Sequence, residues 1–449
     1  MKKFILLLVA VFIATNVYAQ KETERHRGEY DDIAHRIFDA AMADTMGFES
    51  LSYMCDVFGP RLSGSDNLEN ALDWIVEEMK KDGLVNVKRE PVMVPHWVRG
   101  KEYCELISPR KANMELLGLG GSIGTPKNGI TAEVLVVNSF EDLKARASEA
   151  KGKIVLYNYE WQGYGKGAHY RVHGAKDAAL AGAVASLIRS VSPIGMNNPH
   201  GGMMLYADSI PKIPHAAITL EDAELLQRLQ NRGITPKVTL YMEAKTLPDR
   251  ESANVVGEIR GIEYPDEIIA IGGHIDSWDA GTGAHDDGAG CLATWKAVKL
   301  LYDLGIKPKR TIRAVMWVNE ENGVRGGKQY AKDHKDEPHH LLFEFDSGCF
   351  RPDKVGYKGP DSLFNYMKQF EYLFKQIDDI EIKQGAWGVD AGPMARQNNV
   401  PLMNIGTEDE GKYFWYHHGP SDTIDKIERE NFNKCVATIA LAIYLYSEL

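Results

Sequence analysis

Gly272-Gly273-His274-Ile275-Asp276-Ser277-Trp278-Asp279 is followed shortly by Gly283-Ala284-His285-Asp286-Asp287-Gly288. This stretch sets a histidine, a nearby aspartate and an aspartate pair in a glycine-rich loop. Just upstream, Glu267 to Ile271 is a short apolar run that reads as a buried strand. Imidazole and carboxylate groups gathered after a strand suit a metal ion. Similar groups follow other apolar runs. Glu320-Glu321 follows Thr311 to Val318, Asp346 ends Leu341 to Phe345, and His417-His418 lies beyond Pro401 to Ile405. In open α/β sheets, sites form outside the carboxyl ends of strands. Histidines mixed with this many carboxylates are too oxygen-rich for a structural zinc site, which favours Cys and His. They suit a two-metal hydrolytic centre, in which one carboxylate bridges ions roughly 3.5–4 Å apart.

The elements that must position these groups alternate from Ser252 onward. Strand-like runs are separated by helical stretches at Gly290–Leu304, Leu363–Ile377 and Glu430–Leu449. The expected class is α/β, with a mixed, mostly parallel sheet covered by helices on both faces. Upstream, Asp31–Met46 and Asn67–Met79 show helical spacing, and Ser65 or Asp66 can cap the second. Phe58–Ser65 between them reads as a turn-rich connection. A β-like stretch follows at Val87–Val98. The texture then changes. Ala132–Val137, Lys153–Tyr157, Val184–Ile188, Ala216–Ile218 and Lys237–Tyr241 read as strands, with helices at Gly174–Gly182 and Glu221–Gln230. This unit carries no cluster of ligand-type residues and is expected to be an inserted, β-rich accessory domain. The expected division is a signal peptide over 1–19, a first part of the main domain over 20–125, the insertion over 126–248, and the site-bearing part over 249–449.

Composition narrows the partners. The chain has 449 residues, enough for two or three domains, and is 44% hydrophobic. Its formal net charge is −11, and no Lys/Arg-rich run appears, which argues against a nucleic-acid partner. Lys2-Lys3, apolar Phe4 to Ala14 and the small residues of Val17-Tyr18-Ala19 read as a secretory signal peptide. The apolar run is too short to span a bilayer comfortably, so no membrane association is expected after cleavage. The five cysteines, Cys55, Cys104, Cys291, Cys349 and Cys435, match no zinc spacing and read as scattered buried thiols.

Taken together, these motifs resemble the di-zinc exopeptidase family that contains secreted aminopeptidases and plasma glutamate carboxypeptidase. The resemblance rests on Gly272 through Asp287, Pro308-Lys309-Arg310-Thr311, Glu320-Glu321, and His417-His418 with Asp422-Thr423. Lys153-Ile154-Val155 and Ala185 through Ser190 add a likeness to a protease-associated domain in the insertion. Nearly all of the chain after the signal peptide is covered. The resemblance implies two zinc ions per chain. His274 and Asp346 would hold one, Glu321 and His418 the other, and Asp286 would bridge. Glu320 would be general base and acid, and the Asp276 carboxylate would accept from the second ring nitrogen of His274. Adjacency alone does not decide which glutamate binds metal. The resemblance further implies short peptide substrates, a homodimer, and a secreted or periplasmic location. Whether cleavage is of the aminopeptidase, carboxypeptidase or dipeptidase kind stays open. The intact set argues against a non-catalytic binding module and against mono-zinc glutaminyl cyclisation.

Plainer readings apply to the neighbours. Asp287 is expected to cap the helix that starts near Ala289. His285, His339 and His340 read as ordinary surface or loop histidines. Trp278 and Tyr416 are of the type that packs cores, although both lie near the site. His417, Tyr416 and Asp390 are carried as candidate substrate-pocket residues. Gly281-Thr282-Gly283 fails as a dinucleotide fingerprint, because Asp286 stands at the third glycine position. Gly120-Gly121-Ser122-Ile123-Gly124 matches a nucleophile elbow, but Thr125-Pro126 and the residues after it read as a turn where a helix is required.

Overall fold

The chain builds two sheets, the second threaded between adjacent strands of the first. The computed structural model describes residues 28–449, and the signal peptide expected over 1–19 lies outside them. β1 (Val85–Val98) opens the first sheet. The second takes β2 (Glu102–Ser108), β3 (Ala112–Met114), β4 (Leu116–Gly118), β5 (Ile130–Val137), β6 (Ile154–Tyr157), β7 (Ala185–Arg189), β8 (His215–Ile218) and β9 (Lys237–Met242). Its order is β3-β2-β9-β5-β6-β7-β8-β4, with β5 to β8 parallel. The chain then returns through β10 (Lys245–Ile259), β11 (Tyr264–His274), β12 (Arg310–Trp317), β13 (His339–Glu344), β14 (Arg351–Lys358), β15 (Glu381–Gln384) and β16 (Leu402–Glu408). The first sheet runs β1-β10-β12-β11-β13-β16-β14-β15. Its centre, β12-β11-β13-β16, is parallel, and both flanks carry antiparallel pairs.

β1 and β10 form a long antiparallel ribbon in which Val98 pairs with Lys245. The chain leaves for the second sheet and comes back at one end of that ribbon. Three strands before residue 126 belong to the second sheet, so that sheet begins earlier in the chain than the expected insertion boundary.

β12 is buried along its whole length and β13 from Leu341 onward, which is why their later residues read as apolar runs. The helices Ala289–Asp303 and Arg429–Ser447 pack on one face of the first sheet. Helix Asp66–Lys81 buries Leu68, Leu72, Ile75 and Met79 at helical spacing. Ser65 is its cap and accepts from Leu68 N at 3.2 Å. Other expectations shift. The helix expected over Asp31–Met46 covers 28–43 and stops. Asp44 then accepts from Met46 N and Gly47 N at 3.1 and 2.8 Å and starts a new helix, Met46–Tyr53. The Gly174–Gly182 helix begins earlier, at Tyr164, and the Leu363–Ile377 helix is split into Asp361–Lys368 and Glu371–Phe374. Ser122 lies in a loop, where its Oγ accepts from His215 N. All five cysteines are buried free thiols.

One buried ionic cluster ties β1 and β12 to the helix Arg325–Asp333. Nε2 of His334 lies 2.9 Å from Glu90 Oε2 and its Nδ1 2.9 Å from Glu337 Oε1, while Arg313 reaches Glu258 and Glu337. Burial works against the charged His334 ring, but Glu337 and Glu90 outweigh it and push its pKa up to about 9. Stability from the protonated ring is therefore complete below its ordinary value of 6.5 and is lost as pH rises through about 9. The thermal midpoint gap between the natural protein and His334→Gln is expected to be widest at about pH 6 and to shrink toward about pH 9. A gap that widens over that range would refute the assignment.

Candidate metal centre

β11 ends at His274, and its last glycine is required by what crosses it. A Cβ on Gly273 would stand 2.2 Å from the Asp287 carboxylate. Without one, the Ala284–Gly288 turn closes over the strand end. Asp287 Oδ2 accepts from His274 N at 3.0 Å, and its Oδ1 accepts from Gly290 N at 3.2 Å, the expected cap. The Asp286–Asp287 peptide is cis. Asp422 holds the other side of the turn, accepting from His285 N at 2.7 Å and Asp286 N at 3.2 Å. Arg61 is fully buried and stitches the loop together. Its guanidinium donates to the main-chain oxygens of Ile275, Thr282, Gly283 and Gly59.

These constraints place the carboxylate of Asp286 between two groups. His274 Nε2 lies 3.3 Å from Asp286 Oδ1 and 3.8 Å from Asp346 Oδ1. His418 Nε2 lies 3.2 Å from Asp286 Oδ2 and 3.0 Å from Glu321 Oε2. His417 Nε2 lies 3.5 Å from the same Asp286 oxygen, and its ring stacks on that of His418. Ligand-type atoms of His274, Asp286 and Asp346 fall within 4.8 Å of one another, as do those of Asp286, His417 and His418. Asp286 Oδ2, although close to both rings, accepts no hydrogen bond, and the buried Glu321 Oε1 has no partner. Buried carboxylate oxygens left without donors amid imidazole nitrogens fit a divalent cation.

The electrostatics agree. Burial, opposed by His274 but reinforced by Glu321, Asp346 and Asp286, pushes the Glu320 carboxyl well above its usual range. Burial, opposed by His418 and reinforced by Asp286, also raises Glu321. Burial disfavours ionised Asp286 as well, but His417, His274 and His418 outweigh it and hold that carboxyl well below its ordinary value. Burial raises Asp422 to about 7, with Asp286 adding to it.

Asp276 acts differently from the sequence expectation. His274 Nδ1–H donates to the main-chain oxygen of Asp276 at 2.9 Å, while the carboxylate stands 3.9 Å from that nitrogen. A carbonyl can only accept, so the contact places a proton on Nδ1, and in the neutral ring that leaves Nε2 as the atom able to bind a metal. The Asp276 carboxylate instead accepts from Glu320 N and from Ser63 Oγ, each at 3.0 Å, and so positions the turn that carries both glutamates. His285 is fully buried, accepting from Cys349 N and stacked between Phe350 and Tyr416, and is no surface residue. His339 is partly buried and hydrogen-bonded to Tyr330. Asp390 is 1% exposed at the start of helix Ala391–Asn398, where it accepts from Gly327 N. Its other oxygen, Oδ2, is buried without a hydrogen-bond partner. Trp278 packs into the core of the second sheet. The sequence reading gave no role to Arg61, Ser63, Tyr164 and Arg171, the last of which reaches His418 from the second sheet's helix Tyr164–Leu180, and quoted Asp422 only as part of a motif.

Residues 254–443 match Peptidase family M28. The chain is 42% identical to carboxypeptidase Q of Mus musculus over 434 residues, covering 96% of this chain and 92% of that protein. A peptidase M28 precursor from Shewanella amazonensis SB2B superposes with a TM-score of 0.89 at 32% identity, covering 94% of this chain and 97% of that one. A zinc aminopeptidase from Bacillus subtilis shares the fold, with a TM-score of 0.64 at 21% identity over 89% and 94% of the two chains.

Replacing Arg61 by alanine would take a donor from four main-chain oxygens, of which, among the described residues, only that of Gly283 also accepts from a main-chain amide, Gly288 N at 3.0 Å. The expected loss is about 3 kcal/mol or more, read as a lower urea midpoint at unchanged m-value. A loss below about 1 kcal/mol would mean that the loop does not depend on the guanidinium.

Proposed function

This chain belongs to peptidase family M28 and is a metallo-exopeptidase, and on that premise we propose that it hydrolyses dipeptides or other short peptides at a di-zinc centre. The observation that carries the reading is that the two oxygens of Asp286 face separate donor sets. In this reading His274 and Asp346 hold one ion, Glu321 and His418 hold the other, and Asp286 bridges them. Bound zinc supplies Lewis acidity and lowers the pKa of a water molecule toward ~7. Glu320 takes the proton of the attacking water and returns it to the leaving amine. Its raised proton affinity, which burial dominates, suits a group that must carry a proton between those steps. Asp276 acts through the main chain, holding the Glu320 amide so that the carboxylate stays in place.

Export from the cytoplasm is supported by the charged and apolar segments of residues 1–19. Among the described residues no helix is long and apolar enough to cross a membrane. The second sheet is proposed to wall the cleft and limit substrate length. Support comes from Tyr164, whose ring stands edge-on to His417 at 4.8 Å, and from Ser192 and Asn198, which bond to Phe414 and Trp415.

A dipeptide and tripeptide panel, run with zinc analysis, tests the reading. Glu320→Gln is expected to lower kcat by about 10²–10⁴-fold while both zinc ions stay bound. Full activity in that variant would remove Glu320 from the mechanism. Because the proposed ligands bind metal with neutral imidazoles and ionised carboxylates, acid should strip the site. Zinc content after dialysis is expected to fall as pH drops below about 6, and two ions retained at about pH 4 would contradict the ligand set.

A further inference from the structure

The two histidines that face Asp286 have opposite partners on their far sides. His274 Nδ1 meets a carbonyl oxygen, that of Asp276 at 2.9 Å. His418 Nδ1 meets a guanidinium, with Arg171 Nη1 at 3.3 Å. Arg171 is 7% exposed. The same Nη1 donates to Gly201 O at 3.3 Å, Nη2 donates to Tyr164 Oη at 3.1 Å, and the cation lies 5.4 Å from the centre of the Tyr164 ring. Gly202 backs it, since a Cβ there would stand 2.4 Å from Nη1. The group is therefore wedged in place, and Gly201 N also donates to His418 O at 2.8 Å.

A histidine that ligates through Nε2 normally gives its other N–H to an acceptor, which makes the ring a better ligand. His274 has that arrangement. Arginine has only donors and keeps its charge. At His418 it occupies the place of the acceptor, draws density from the ring and sets a fixed positive charge beside a cation position. Nothing comparable touches His274.

We infer that Arg171 makes the His418 side the weaker of the two metal positions, so that the second sheet sets how readily the centre fills. This rests on the two-zinc reading above.

The test is zinc binding to the metal-free, full-length protein, followed by competition with a chromogenic chelator. The natural protein should take up two ions in unequal steps. His418→Ala should abolish the weaker step and spare the tighter one, and His274→Ala should do the reverse. Arg171→Met should tighten the weaker step by about tenfold or more, while Arg171→Lys, which keeps the charge, should leave it weak. Two equal steps in the natural protein would overturn the inference, as would an Arg171→Met variant whose weaker step stays put or loosens. If the Arg171 variants fail to fold, the histidine variants still locate the weaker step, and a weaker step that is lost with His274 and spared by His418→Ala would overturn the inference. Uptake of a single ion would instead overturn the two-zinc reading itself.

Discussion

The position of one carboxylate organises this molecule. Asp286 has its amide held by Asp422, its following residue pinned to the end of β11, and its preceding loop gathered by Arg61. Those contacts come from distant parts of the chain and converge on a turn that could not hold itself. Each is a hydrogen bond to main chain in a buried setting, where leaving a group unpaired is costly. The result is a carboxylate whose two oxygens look in different directions, toward His274 and toward His418.

That placement comes with a surplus of buried carboxyl groups, which burial pushes toward their neutral forms. Asp286, Asp287, Glu321, Asp276 and Asp422 are all buried around the two clusters. Apart from the histidines, the cations near them are Arg61, spent on main-chain oxygens, and Arg171, which faces away from the carboxylates toward His418 Nδ1. A site of this kind is unstable electrostatically without further positive charge. The scaffold that builds it therefore has to be strong elsewhere, which fits the fully buried β12 and the two helices packed on the sheet.

The charged groups at strand ends were legible in the sequence because chemistry and periodicity coincide there. His274, Glu320, Glu321 and Asp346 each follow an apolar run, and their residue types are rare in such positions. The parallel centre of the first sheet was readable for the same reason. Arg61 and Ser63 were not, because Phe58–Ser65 has no periodicity and its partners lie far off in the chain. Arg171 was hidden in the same way, on the part of the helix that precedes the expected Gly174–Gly182 run. The role of Asp276 turned on which of its oxygens faces the ring, a matter of torsion angles that composition does not encode. Short, half-exposed β14 and β15 and the helices Arg325–Asp333 and Ala391–Asn398 carry too few apolar residues to stand out.

The order of these groups along the chain has a consequence for biosynthesis. The strands of the second sheet all precede the proposed ligands in the chain, so they leave the ribosome first. His418 and Asp422 come last, close to the carboxyl terminus, and the turn bearing Asp286 is unheld until they dock. A nascent or truncated chain therefore carries no complete centre.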